Sequence, residues 1–118
     1  MIRPLALAVA LLATTAGHAA GHSLLLESTP AAGSRLAALP PALMLRFNNR
    51  IEPAVARVRL VDGAGAVRPL PVTVLGATPD RLTAPLPALA AGVWRVEWRV
   101  LSADGHVMSG EYEFRLTD

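Results

Sequence analysis

The strict alternation of apolar and polar side chains most restricts the fold of this chain. Residues 94–100 read Trp-Arg-Val-Glu-Trp-Arg-Val, with an apolar side chain at every second position. The same alternation recurs in residues 43–47 and in residues 112–116. Successive side chains of a β-strand point to opposite sides of the sheet. The pattern therefore predicts three strands, each with one buried face.

Weaker alternation between proline and glycine clusters predicts four more strands, over residues 23–27, 55–61, 67–75 and 81–84. Pro69 and Pro71 cannot donate ladder hydrogen bonds, so residues 67–75 are expected at a sheet edge. The only helical feature expected is one short turn within residues 34–39. Seven short strands in about 97 residues indicate an all-β, immunoglobulin-like antiparallel β-sandwich.

The first 21 residues are typical of a secretory signal. Arg3 precedes an apolar run at residues 5–12, and small residues lead to Ala19-Ala20-Gly21. The apolar run is too short to span a bilayer, and no later segment is long and apolar enough to do so. We therefore expect a signal peptide at residues 1–21, and one soluble domain at residues 22–118 that does not insert into the membrane.

Charge and cysteine content exclude several classes of protein. All eleven basic residues are arginines, set against nine acidic residues, so the chain is nearly neutral. The arginines are scattered rather than clustered on one face, and we therefore expect no nucleic-acid partner. The absence of cysteine excludes disulfides, zinc fingers, iron–sulfur clusters and blue-copper centres.

Candidate metal ligands come from two distant parts of the chain. His22 and His106 are the only histidines outside the signal, and His106 closes the triplet Asp104-Gly105-His106 between two strands expected to form a hairpin. Side chains two residues apart in extended chain point to the same side, so Asp104 and His106 can face one ion. Cleavage after Gly21 would expose the amine of His22 beside its imidazole. Together these donors suit a divalent metal that prefers nitrogen.

Other interpretations of the same residues are open at this point. A cut after Ala19 would leave Ala20-Gly21-His22 at the amino terminus, which can bind Cu(II) through backbone amides without the Asp104 triplet. An Asp-Gly pair is also an ordinary turn signal. If the Asp104-Gly105 pair is only a turn and the histidines are incidental, the chain is an immunoglobulin-like interaction module that binds no metal.

Three segments resemble the CopC family of periplasmic copper-resistance proteins. They are residues 22–33 (His-Ser-Leu-Leu-Leu-Glu-Ser-Thr-Pro-Ala-Ala-Gly), residues 43–47, and residues 94–110, which end in the Asp-Gly-His triplet and Val-Met-Ser-Gly. The resemblance implies a cupredoxin-like Greek-key β-sandwich in the periplasm that binds one Cu(II) ion per chain. The implied ligands are the amine and imidazole of His22, with Asp104 and His106.

The resemblance also implies a role in copper homeostasis or resistance. The protein would act as a carrier or buffer and not as an enzyme, and an inner-membrane copper transporter is its possible partner. Three nitrogens and one oxygen fit the tetragonal preference of Cu(II), although Zn(II) is chemically possible. Many family members carry a glutamate where this chain has Asn49, and an amide cannot supply that negative charge. Met44 and Met108 lie in different segments, so a methionine-rich Cu(I) site is not expected.

A copper redox enzyme is the main alternative within copper chemistry. An amino-terminal histidine together with a second histidine also resembles the copper brace of polysaccharide oxygenases. The short chain and the anionic Asp104 ligand, which favours Cu(II) over Cu(I), are arguments against this alternative.

Overall fold

Eight strands form two β-sheets in the computed structural model, which describes residues 25–118. The strands are β1 (Leu25–Thr29), β2 (Arg35–Leu36), β3 (Ala42–Phe47), β4 (Arg57–Val61), β5 (Val67–Leu70), β6 (Arg81–Pro85), β7 (Gly92–Leu101) and β8 (Val107–Leu116), with a 3₁₀ turn at Pro53–Val55. The small sheet has the order β1-β3-β6 and the large sheet has the order β2-β8-β7-β4-β5. The expected signal peptide at residues 1–21 and the candidate ligand His22 lie outside the described residues.

The alternating residues form one core between the two sheets. Leu43 and Leu45 of the small sheet and Val96 of the large sheet have no exposed surface, and side chains from both sheets belong to one apolar cluster. The rings of Phe47 and Trp98 meet edge to face across the core, with centroids 5.1 Å apart at an angle of 68°. Each fully buried aliphatic side chain contributes about 1.5–3 kcal/mol. The prediction of an all-β sandwich is confirmed.

Two local predictions were wrong. Residues 34–39 form no helical turn, because Arg35 and Leu36 pair in parallel with the end of β8. The backbone N–H of Arg115 donates to the Ser34 carbonyl, which fixes this pairing. Val55 belongs to the 3₁₀ turn and not to a strand, since Pro53 fixes the φ angle needed to begin that turn.

The segment predicted as residues 67–75 lies at a sheet edge, as expected, but it is shorter. β5 pairs with β4 alone and ends at Leu70, just before Pro71, which has no N–H to donate. Beyond that proline the chain crosses to the small sheet, where Thr73 forms an isolated bridge with Thr83.

Three parts of the chain meet at one end of the sandwich. β7 and β8 pair over ten residues, and the turn that joins them lies just beyond the last pair, Leu101 and Val107. The chain leaving β3 contacts this turn, because the Ala103 N–H donates to the Arg50 carbonyl at 2.8 Å. β1 begins at the same end, since Leu25 pairs with Phe47. Of the helical segments within residues 25–118, none is long and apolar enough to cross a membrane.

Candidate metal site

The turn between β7 and β8 has a defined backbone conformation. The Ser102 N–H donates to the His106 carbonyl, and the Gly105 N–H donates to the Ser102 carbonyl, both at 2.9 Å. Gly105 has a φ of +91°, a conformation that residues with a Cβ rarely adopt. This tight turn keeps Asp104 and His106 on an exposed tip, as the sequence predicted.

Asp104 and His106 contact each other at this tip. Asp104 Oδ2 lies 3.2 Å from His106 Nδ1, and both side chains are more than half exposed. Two ligand atoms bound at about 2.1 Å and at a right angle to each other lie about 3 Å apart. The distance is that of a hydrogen bond between the imidazole and the carboxylate, and it is also short enough for both atoms to bind one cation.

Asp104 is held in its ionised form. Its Oδ1 atom accepts a hydrogen bond from the backbone N–H of His106 at 3.2 Å. This backbone N–H, assisted by the His106 imidazole, lowers the pKa of Asp104 below its ordinary value. The carboxylate thus needs no deprotonation before it binds a cation.

Ser102 was missed in the sequence, although its hydroxyl donates to Asp104 Oδ1. The side chain is buried, with 2% of its surface exposed, in a position that also bridges to Ile51. The available signal was a serine two residues before an aspartate at a turn, where hydroxyl and carboxylate groups commonly bond to nearby backbone and side chains. Ser102 anchors one oxygen of the exposed carboxylate to the fold.

The described residues supply only part of a metal site. No group of three or more His, Cys, Asp or Glu side chains comes together within residues 25–118. His22, the remaining candidate, precedes the described start of β1 by three residues, a length that spans about 10 Å when extended. Asn49 precedes Arg50, whose carbonyl contacts the turn, and the Asn49 Oδ1 atom accepts the Arg50 N–H at 2.8 Å. Met108 is buried in the core, in agreement with a packing role.

Comparison with known proteins identifies the family. The model of the CopC domain matches residues 25–117. The chain belongs to the CopC family. The crystal structure of CopC from Methylosinus trichosporium OB3b superposes with a TM-score of 0.74 and 36% identity, and the match covers 80% of this chain and 93% of that one. PcoC, described as a methionine-rich copper resistance protein from Escherichia coli, gives a TM-score of 0.66 and 30% identity over 81% of this chain and 99% of its own.

Two named relatives also match most of this CopC-family chain. Copper resistance protein C of Escherichia coli is 33% identical over 104 residues, which cover 81% of this chain and 82% of the relative. Protein YobA of Escherichia coli K12 is 30% identical over 95 residues, covering 79% and 77%. The CopC domain match includes the Asp104-Gly105-His106 turn and begins after His22.

Proposed function

We propose that this CopC-family chain is a periplasmic Cu(II)-binding protein of copper homeostasis and resistance. It acts as a carrier or buffer for one ion per chain and performs no catalysis. The observation that carries the proposal is the 3.2 Å spacing of Asp104 Oδ2 and His106 Nδ1 on an exposed turn. Two relatives bear names that refer to copper resistance.

The amino terminus completes the site in this proposal. Removal of residues 1–21 leaves His22 with a free amine and an imidazole, which join Asp104 and His106 around the ion. The pairing of Leu25 with Phe47 supports this arrangement, because it starts β1 at the end of the sandwich that carries the turn. Three nitrogens and one carboxylate oxygen favour Cu(II) over Zn(II) in the usual order of affinities.

The shape of the site fits a carrier. Both described ligands are exposed, so an ion bound there remains accessible to a second protein, such as an inner-membrane copper transporter. The terminal amine must lose a proton to bind, so we expect Cu(II) affinity to fall as the pH is lowered.

Titration of two forms of the protein with Cu(II) tests the proposal. One form starts at His22 and the other carries one extra residue before it. We expect one equivalent of Cu(II) to bind the first form with an electron paramagnetic resonance signal of a tetragonal site. The extension, and separately Asp104→Asn or His106→Ala, should weaken binding and change the signal.

Three results would contradict the proposal. Equal affinity and spectrum for the extended form would remove the terminal amine from the ligand set. An unchanged signal in the Asp104→Asn and His106→Ala variants would show copper bound at the amino terminus alone. Rapid ascorbate-driven oxygen consumption by the copper-loaded protein would favour a redox enzyme.

A further inference from the structure

The outer face of the large sheet carries two arginines that face each other. Arg57 of β4 and Arg99 of β7 are direct partners in the antiparallel ladder, and both side chains are exposed. Among the residues that the structure describes, neither guanidinium forms a salt bridge with a carboxylate. Like charges placed directly opposite destabilise a sheet. The pair is therefore not explained by folding stability.

In the next row of side chains on the same face, the arginines pair with carboxylates. Arg59 pairs with Glu97, and Arg95 pairs with Glu97 at 2.9 Å and with Glu111 at 3.3 Å. These neighbours hold the pKa of Glu97 below its ordinary value, Arg59 more strongly than Arg95. The positive charge in this second row is compensated, whereas Arg57 and Arg99 have no carboxylate partner among the described residues. Arg35 and Arg115, at the other end of the large sheet, form a second pair of this kind.

Arg57 is fixed in position by the backbone. Its Nη1 atom donates to the carbonyls of Ala54 at 3.2 Å and Ala56 at 2.9 Å, both in or next to the 3₁₀ turn. The other guanidinium N–H groups have no acceptor among the described residues. An arginine held in this way loses little side-chain freedom when it binds an anion, which favours recognition.

Apolar side chains adjoin the arginines on the side nearer the β7–β8 turn. Leu101 and Val107 form the next pair on this face of the ladder, and Val107 is 55% exposed. They point to the same face as Arg99 and its ladder partner Ser109, because two residues separate the rows. We call Arg57, Arg99, Leu101, Val107 and Ser109 the basic patch. Arg57, Arg99 and Ser109 also line an open groove of about 720 Å³, together with Glu97 and Glu111, whereas Leu101 and Val107 lie outside it.

We propose that the basic patch is a docking surface for a partner protein that presents an acidic segment. Aspartate or glutamate carboxylates of the segment bind Arg57 and Arg99, and a neighbouring apolar residue covers Val107. A free inorganic anion would satisfy the guanidinium groups but would leave Val107 exposed, so charge and apolar surface together favour a protein segment. A bound partner would lie beside the turn that carries Asp104 and His106.

This proposal goes beyond copper binding and can be tested without metal. The probe is the capped peptide Glu-Glu-Leu-Glu-Glu, titrated into the isotope-labelled, metal-free protein while backbone amide shifts are recorded. We expect shifts concentrated at Arg57, Arg99, Leu101 and Val107, and weaker binding as salt is added. The double variant Arg57→Gln/Arg99→Gln should lose about tenfold in peptide affinity, the effect of two exposed ion pairs.

The matched control removes the same charge elsewhere. Arg35 of β2 and Arg115 of β8 are also ladder partners, are exposed, and form no salt bridge within the described part of the chain. The variant Arg35→Gln/Arg115→Gln should change affinity by less than about twofold. Both double variants should melt at the wild-type temperature or slightly higher, since each removes a like-charge pair.

Several outcomes would overturn the docking proposal. One is equal loss of affinity in the two double variants, which would reduce binding to net charge. Others are shifts caused equally by inorganic phosphate or by the matching glutamine peptide, binding to phosphatidylglycerol vesicles but not to the peptide, or shifts that follow protein concentration, which would indicate a second copy of this chain.

Discussion

Ser102 determines how well the exposed side chains of Asp104 and His106 are ordered. Ion pairs between exposed side chains are worth little, because side-chain entropy and water oppose them. Asp104 and His106 are such a pair, with 53% and 74% of their side-chain surfaces exposed. The buried Ser102 hydroxyl binds one carboxylate oxygen and leaves the other directed to His106. At the residue scale, the geometry of the turn thus depends on a side chain that would not itself bind the ion.

Replacing Ser102 tests this dependence. We expect Ser102→Ala to lower Cu(II) affinity by about tenfold, as loss of groups that orient metal ligands commonly does. The electron paramagnetic resonance signal should broaden, because the carboxylate can then take several orientations. Affinity is measured by competition with a chelator of known strength.

Ser109→Ala is the matched control for this prediction. Ser109 is exposed on the same hairpin, so its hydroxyl should not affect the copper signal. If Ser102→Ala leaves both affinity and signal unchanged, the serine only stabilises the turn.

At the scale of elements, β3, β7 and the short β6 were predicted closely. β8 begins at Val107, five residues before its predicted start, and β2 was not predicted. β3 and β7 follow their sequence pattern almost to the residue, because burial of one face decides their register. The two residues of β2 carry no readable pattern, since their pairing depends on β8, which is distant in sequence. Asp104 and His106 were predicted from their spacing to lie close together, and they do. The contact of the Ser102 hydroxyl with Asp104 depends on the folded turn.

Gly110 of β8 allows the β7–β8 hairpin to pack as it does. It is the ladder partner of Trp98, and a Cβ at this position would overlap the indole ring at Cζ2. Trp98 cannot move aside easily, because its ring packs edge to face on Phe47. We therefore expect Gly110→Ala to lower the free energy of unfolding by about 1–3 kcal/mol, measured by urea denaturation.

Gly76→Ala is a suitable control for overpacking. Gly76 has no positive φ, and a Cβ there would meet no atom within 4 Å. This variant should be neutral or slightly stabilising, because alanine restricts the unfolded chain. Equal effects of the two substitutions would mean that the Trp98 contact is not responsible.

At the scale of the whole molecule, one apolar core holds the fold without disulfides, since the chain has no cysteine. The sequence shows that the fold depends on its apolar core, and its alternating pattern shows which residues are buried. It does not show how the protonation of a buried ionisable residue affects the free energy of unfolding. Tyr112, with 9% of its surface exposed, is such a residue.

Tyr112 makes the stability of the folded protein fall at alkaline pH. Burial raises its pKa from 10.0 to about 12, although the Ser28 hydroxyl acts in the opposite direction. Below pH 10 the phenol is protonated in the folded and unfolded states, so its contribution to stability is constant. Between pH 10 and about 12 only the unfolded chain releases the proton, so the folding equilibrium should weaken by up to about tenfold per pH unit.

The amino-acid composition allows the titration in this pH range to be assigned to Tyr112. Tyr112 is the only tyrosine and the chain has no lysine, so phenolate absorbance and denaturation curves report on one group. Tyr112→Phe should flatten the loss of stability in that pH window. A phenol that titrates near 10 in the folded protein would contradict the prediction.

The pairing of β2 with β8 has a consequence for the order of folding. β8 lies between β2 and β7 in the large sheet, yet it follows all the other described strands in sequence. Leu36 cannot pair with Leu116 until β8 is available. Contacts between residues so far apart in sequence form slowly. We therefore expect the large sheet to close late in folding, after the β7–β8 hairpin has formed.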